Sequence, residues 1–108
     1  MKQSVLENMP SRDPSARDLR EVLLTLYKNG SWCIGSDIAR KITSNDRGKA
    51  GKACKQFVEQ GLALSEAAKE HGFETSISMA YHITEKGIEK AKKIQKRMED
   101  PETKNYFS

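Results

Sequence analysis

Six cationic side chains, Arg40, Lys41, Arg47, Lys49, Lys52 and Lys55, lie between positions 40 and 56. Asp46 is the only carboxylate among them, so the segment carries a net +5. The whole chain of 108 residues carries +4, so everything outside the segment is slightly acidic. Such clustering suits a polyphosphate, because each phosphate neutralised by lysine or arginine releases condensed counterions. Some residues in the run also match base edges: Arg47 or Lys49 can donate to O6 and N7 of guanine, and Gln56 can pair with adenine. Asn45 precedes them in a polar stretch, and Gly48 and Gly51 permit close approach of the backbone to a phosphate. Against this stands the plain alternative that the lysines form a solvated helix face.

Other constellations offer less. Lys86, Lys90, Lys93 and Arg97 recur on one helical stripe, either a solvated face or a further phosphate-contacting surface. Cys33 and Cys54 make no disulfide framework and have no partners at metal-ligand spacing, so reduced core thiols are expected. His71 and His82 are not expected to bind metal. Gly48-Lys49-Ala50-Gly51-Lys52 lacks the spacing and the preceding strand of a phosphate loop. There is no Ser-His-Asp set or convincing carboxylate pair, so neither catalysis nor a cofactor is expected.

The elements that must position these groups follow from periodicity. Asp13-Pro14 has the form of an N-cap followed by proline at the first helical position. Leu19, Val22, Leu23, Leu26 and Tyr27 then form one apolar stripe, ended by Asn29-Gly30. Residues 31–34 predict a small strand with Trp32 in the core. Ser36 is the expected cap of a second helix whose Ile38, Ala39 and Ile42 face inward. Residues 43–46 form a turn, and Asn45 or Asp46 caps a third helix with Ala50, Ala53, Cys54, Phe57 and Val58 on its inner face and Gly61 as its stop. Beyond it the period becomes two. Ile77, Met79, Tyr81 and Ile83 alternate with Ser76, Ser78, Ala80 and His82, as in a half-buried strand. Its partner is 62–67, where Leu62 and Leu64 alternate, and residues 68–75 connect the two. Thr84 caps a last helix that buries Ile88, Ala91, Ile94 and Met98 and ends at Asp100-Pro101.

The expected fold is therefore mainly α with a small antiparallel β-hairpin or three-stranded wing. Two helices across a tight turn followed by a hairpin resemble the winged helix-turn-helix families, especially the small MarR-like and PadR-like bacterial regulators. The residues that carry the resemblance are Ile38-Ala39-Arg40-Lys41-Ile42, Phe57-Val58-Glu59-Gln60-Gly61-Leu62 and Tyr81-His82-Ile83-Thr84-Glu85-Lys86-Gly87. It covers roughly residues 15–98. It implies a transcriptional regulator that binds near-palindromic double-stranded DNA as a homodimer, with the third helix (about 46–60) in the major groove. The DNA-contacting set is then Arg40, Lys41, Asn45, Arg47, Lys49, Lys52, Lys55 and Gln56, with Lys69 on the wing. The dimer surface would come from the first helix, the last helix or the terminal arms.

The chain departs from the families' pattern in three ways. The turn is about one residue longer, Gly48 and Gly51 each cost the third helix about 1 kcal/mol, and the wing is acidic. Residues 59–74 hold Glu59, Glu66, Glu70 and Glu74 against Lys69, whereas a minor-groove wing favours arginine or lysine. Lys69 and His71 are its only candidates, and the acid suits a protein partner. Two alternatives remain: a DNA-binding adaptor in replication, partition or recombination of the plasmid or phage type, and a winged helix used for protein–protein contact. The expected organisation is a flexible arm at 1–12, one domain at 13–98 and a tail at 99–108. No apolar run is long enough for a membrane span and the N-terminus lacks a signal-peptide core, so a cytoplasmic protein is expected.

Overall fold

The computed structural model describes residues 13–73 and 78–99. Helix α1 (Ala16–Asn29) buries Val22, Leu23 and Leu26, with Leu19 and Tyr27 partly packed on the core. Its cap is Ser15 and not Asp13. The Ser15 hydroxyl accepts from Asp18 N at 3.1 Å while the Asp18 carboxylate accepts from Ser15 N at 2.9 Å. This reciprocal box satisfies two amides that would otherwise lack partners, which a cap at Asp13 would not provide. Strand β1 is only Cys33–Ile34, shorter than expected. Helix α2 (Gly35–Lys41) follows at once with Ile34 at its cap position and no side-chain cap, so Ser36 lies inside the helix. Asp37 in its first turn complements the helix dipole instead. Trp32 is half-buried, outside the core.

Helix α3 (Arg47–Glu59) buries Ala50, Ala53, Cys54 and Phe57, as its period requires. Asp46 caps it by accepting from Lys49 N at 3.1 Å. Its exit sets the phase of the next strand. Gly61 is left-handed (φ 75°), Gly61 N donates to Val58 O at 3.1 Å, and Leu62 N donates to Phe57 O at 2.7 Å. These are the two bonds of a Schellman motif, in which the residue after the glycine turns back onto the helix. Leu62 is thus buried as part of the helix stop, and strand β2 (Ala63–Ala67) begins one residue later. Ala63 faces in, and Leu64 is 53% exposed, contrary to the expected pairing of Leu62 with Leu64.

Strand β3 (Met79–Ile83) is central in an antiparallel sheet of order β1-β3-β2. Cys33 and Ser65 oppose Tyr81, and Ala63 opposes Ile83. Tyr81 and Ile83 are buried as predicted, but Met79 is 42% exposed and Ala80 is fully buried. Met79 ends the ladder opposite the small Ala67. Ala80 lies between Ile34 and Glu66, on the face that Trp32 and His71 share. A 3-10 turn (Ala68–His71) and Gly72 follow β2. Helix α4 (Glu85–Glu99) buries Ala91 and partly buries Ile88 and Ile94. The expectations for residues 1–12, Ser76, Ile77, the Met98 side chain and 100–108 lie outside the described residues.

The β3–α4 junction clamps the end of α3. Lys86 Nζ donates to Gln60 O at 3.1 Å, Thr84 Oγ1 to Gly61 O at 2.7 Å, and Thr84 N to Leu62 O at 3.0 Å. The Thr84 hydroxyl also accepts from Gly87 N at 3.1 Å, which makes it the expected cap of α4. Three successive carbonyls at the end of one helix are therefore satisfied by the start of another. Among the described residues no helix is long and apolar enough to cross a membrane.

Candidate nucleic-acid interface

The basic segment occupies the end of α2, residues 42–46 and α3. Arg40, Lys41, Asn45, Arg47, Lys52 and Lys55 are exposed, whereas Lys49 and Gln56 are half-buried. With 100° per residue along α3 and Ala50 facing the core, Lys52 and Lys55 lie on the outward side, Arg47 on one flank and Lys49 with Gln56 on the other. That second flank is the one nearest α1. Gln56 lines a groove with Ala16, Leu19, Arg20, Phe57 and Lys90, so its amide sits between helices and not on the outer face. Lys69 is exposed on the 3-10 turn after β2, within the acidic hairpin and apart from this segment in sequence.

Some of the cations already have partners. Lys52 Nζ lies 3.2 Å from Asp13 Oδ1, with side chains 49% and 80% exposed. Arg40 approaches Asp37 at 3.7 Å, also at the surface. Exposed pairs of this kind contribute about 0–1 kcal/mol, so a phosphate can displace either carboxylate at small cost. Asn45 adopts φ 50°, a left-handed conformation that asparagine tolerates better than most residues. It turns the chain directly into the capped N-terminus of α3, where backbone amides and the helix dipole add to the positive field.

The residues that fix this surface are carboxylates on α1, which neither charge clustering nor periodicity singles out. Glu21 Oε2 accepts from Thr43 N at 2.6 Å, and Oε1 accepts from Thr43 Oγ1 at 2.8 Å and from Arg17 Nε at 3.0 Å. Burial pushes the Glu21 pKa up, but the Thr43 and Arg17 hydrogen bonds outweigh it, and the carboxyl is held below its ordinary value. Asp18 is 5% exposed. The Ser15 amide holds its pKa down; burial opposes this, and the Ser15 and Ser44 hydroxyls and the Lys49 charge add to the lowering. Both acids thus tie α1 to the α2–α3 turn. The Ser15-Ala16-Arg17-Asp18 spacing was a visible sign of the first; nothing local announces the second, because Glu21 and Thr43 meet only through the fold.

The thiols offer no reactive site. Cys33 and Cys54 are free and buried. Burial pushes Cys33 up to about 11, with the nearby Asp37 charge adding to the shift, and pushes Cys54 higher still. A nucleophilic or redox-sensing cysteine needs the opposite shift and access. Compared with family models, curated proteins and solved structures, the chain matches none.

Proposed function

We propose that the chain is a winged helix-turn-helix protein that binds double-stranded DNA, with α3 in the major groove and the β2–β3 hairpin as the wing. The carrying observation is the concentration of exposed cations, Arg40, Lys41, Arg47, Lys52 and Lys55, on the end of α2 and along α3. The element order and the sheet order β1-β3-β2 support the same reading. In this reading Arg47 enters the groove beside Asn45, Lys55 and Arg40 reach flanking phosphates, and Lys49 steadies the helix against Asp18. The protein acts as a homodimeric transcriptional regulator, its two-fold axis matching a near-palindromic site.

The test is a fluorescence-anisotropy titration of random-sequence duplex at several salt concentrations. Wild type should lose affinity with a log–log slope of about −0.9 per phosphate contact. Arg40→Ala/Arg47→Ala/Lys55→Ala should flatten the slope by roughly two to three units. An unchanged slope, or no binding by wild type at low salt, sinks the reading. A second reading rests on a different observation. Leu64 and Met79 are the exposed large hydrophobics of the described residues; Leu64 shares one face of the β2–β3 ladder with Glu66, and Met79 ends the ladder on the other. An acidic hairpin with apolar side chains suits a protein partner, and capture of a protein that survives high salt while duplex does not bind would favour it.

A further inference from the structure

We propose that the turn closing the hairpin, through Glu66, Glu70 and His71, binds a divalent transition-metal ion, with zinc(II) the best match to its donors. Among the described residues this is the one group of three His, Cys, Asp or Glu side chains whose donor atoms all lie within 4.8 Å of one another. His71 Nε2 is 2.6 Å from Glu66 Oε1, and Glu70 completes the set. The proposal is independent of DNA binding.

Three elements place the donor residues, with Glu66 and Glu70 exposed and His71 half-buried. Glu66 is fixed by the ladder, opposite Ala80. Glu70 and His71 sit on a 3-10 turn locked by the left-handed Gly72, whose N–H donates to Ala68 O. The indole of Trp32 stacks on the His71 ring at 3.9 Å and 13°, leaving the His71 side chain 20% exposed. An imidazole clamped in this way loses little rotamer freedom on binding, which is the condition for a useful site. Bonds of about 2.0–2.2 Å in tetrahedral geometry place donors roughly 3.4 Å apart. That value lies between the present 2.6 Å of the His71–Glu66 pair and the 4.8 Å limit of the group. Small side-chain rotations suffice, and to offer its Nε2 lone pair the imidazole carries its proton on Nδ1, any second ring proton passing to solvent. One imidazole with two carboxylates suits zinc and its neighbours, whereas magnesium and calcium take all-oxygen shells. The two carboxylates also neutralise a dication.

The experiment is a zinc chloride titration of the full chain, followed by calorimetry and by the fluorescence of Trp32, the only tryptophan. Saturation at one equivalent in the micromolar range is expected, with a change in Trp32 emission and no competition from millimolar magnesium. His71→Gln should weaken binding at least tenfold, and Glu70→Gln on the exposed side of the turn should weaken it by a similar factor. The Glu70 variant keeps the test decisive if His71→Gln fails to fold. His82→Gln should leave the affinity unchanged, because its ring nitrogens are not among the donor atoms that cluster within 4.8 Å. Absence of saturable binding at submillimolar zinc overturns the proposal. So does binding that survives both His71→Gln and Glu70→Gln, or that is lost in Cys33→Ala/Cys54→Ala alone.

Discussion

Gly87 shows how much one missing methyl group can position. A Cβ there would fall onto the carbonyl oxygen of Leu62 and within 2.7 Å of Ile83 Cγ1. The Leu62 carbonyl cannot retreat, because Thr84 N is bonded to it and Leu62 is itself part of the α3 stop. Gly87→Ala should therefore destabilise by about 1–3 kcal/mol and lower Tm by roughly 5–15 °C. Gly51 is the counter-case: it lies inside α3 with nothing within 4 Å of its would-be Cβ. Gly51→Ala should stabilise by about 0.5–1 kcal/mol. Paired thermal melts check both, and equal effects at the two sites would contradict the geometry. In the sequence Gly51 reads as a helix weakness that lets the backbone approach a phosphate, and Gly87 only as part of the strand-to-helix segment. What distinguishes them is the approach of a carbonyl twenty-five residues upstream of Gly87, which no local pattern encodes.

At the scale of elements, the tie between α1 and the α2–α3 turn governs where Asn45 and Arg47 point. Asp18 and Glu21 both hold their protons less tightly in the folded chain than ordinary carboxyls do. Their stabilisation is therefore complete above the ordinary carboxylate range and disappears as pH falls through the folded values. Urea unfolding followed from neutral pH down through pH ~4 and below should show this loss. Glu21→Gln should cost about 1 kcal/mol at neutral pH, since it removes charged acceptors from Thr43 and Arg17, and should make the acid-side decline shallower. An unaltered pH profile would assign the acid sensitivity to other carboxyls. The helices themselves were legible: a stripe repeating every three to four residues has one face to bury, and α1, α3 and α4 bury the faces that Val22, Ala50 and Ala91 mark. The strands depart from their alternation because two mechanisms bury leucine here. Leu62 is buried by the Schellman turn, so its neighbour Leu64, two residues on, does not share its environment. Trp32 lies outside the core for a related reason. It borders a strand of only two residues and packs against His71, a partner supplied by the turn across the sheet. Glu66 lies on a strand and Glu70 and His71 on the 3-10 turn, so no one period unites them and only closure of that turn does.

Across the whole molecule the charge is divided into blocks that the total of +4 conceals. Residues 40–56 carry +5, residues 59–74 carry −3, and α4 carries six cations against Glu85, Glu89 and Glu99. The acidic hairpin thus follows one basic block in the chain and precedes another, and the two basic blocks are not equivalent. Lys86 is spent on Gln60 O at the clamp, and Lys90 borders the groove beside Gln56 and Arg20. The cations of α4 are as exposed as Lys41, Arg47 and Lys55, but Lys86 is held at the clamp and Lys90 at the groove. If duplex docks on α3, Lys86→Ala/Lys90→Ala/Lys93→Ala should change the salt slope of binding by less than about one contact. Its cost should appear instead as a lower Tm, through the lost bond to Gln60. If this variant flattens the slope as far as Arg40→Ala/Arg47→Ala/Lys55→Ala does, the duplex spans both surfaces. If it alone flattens the slope, α4 is the binding face, and the concentration of charge around α3 has been assigned to the wrong partner.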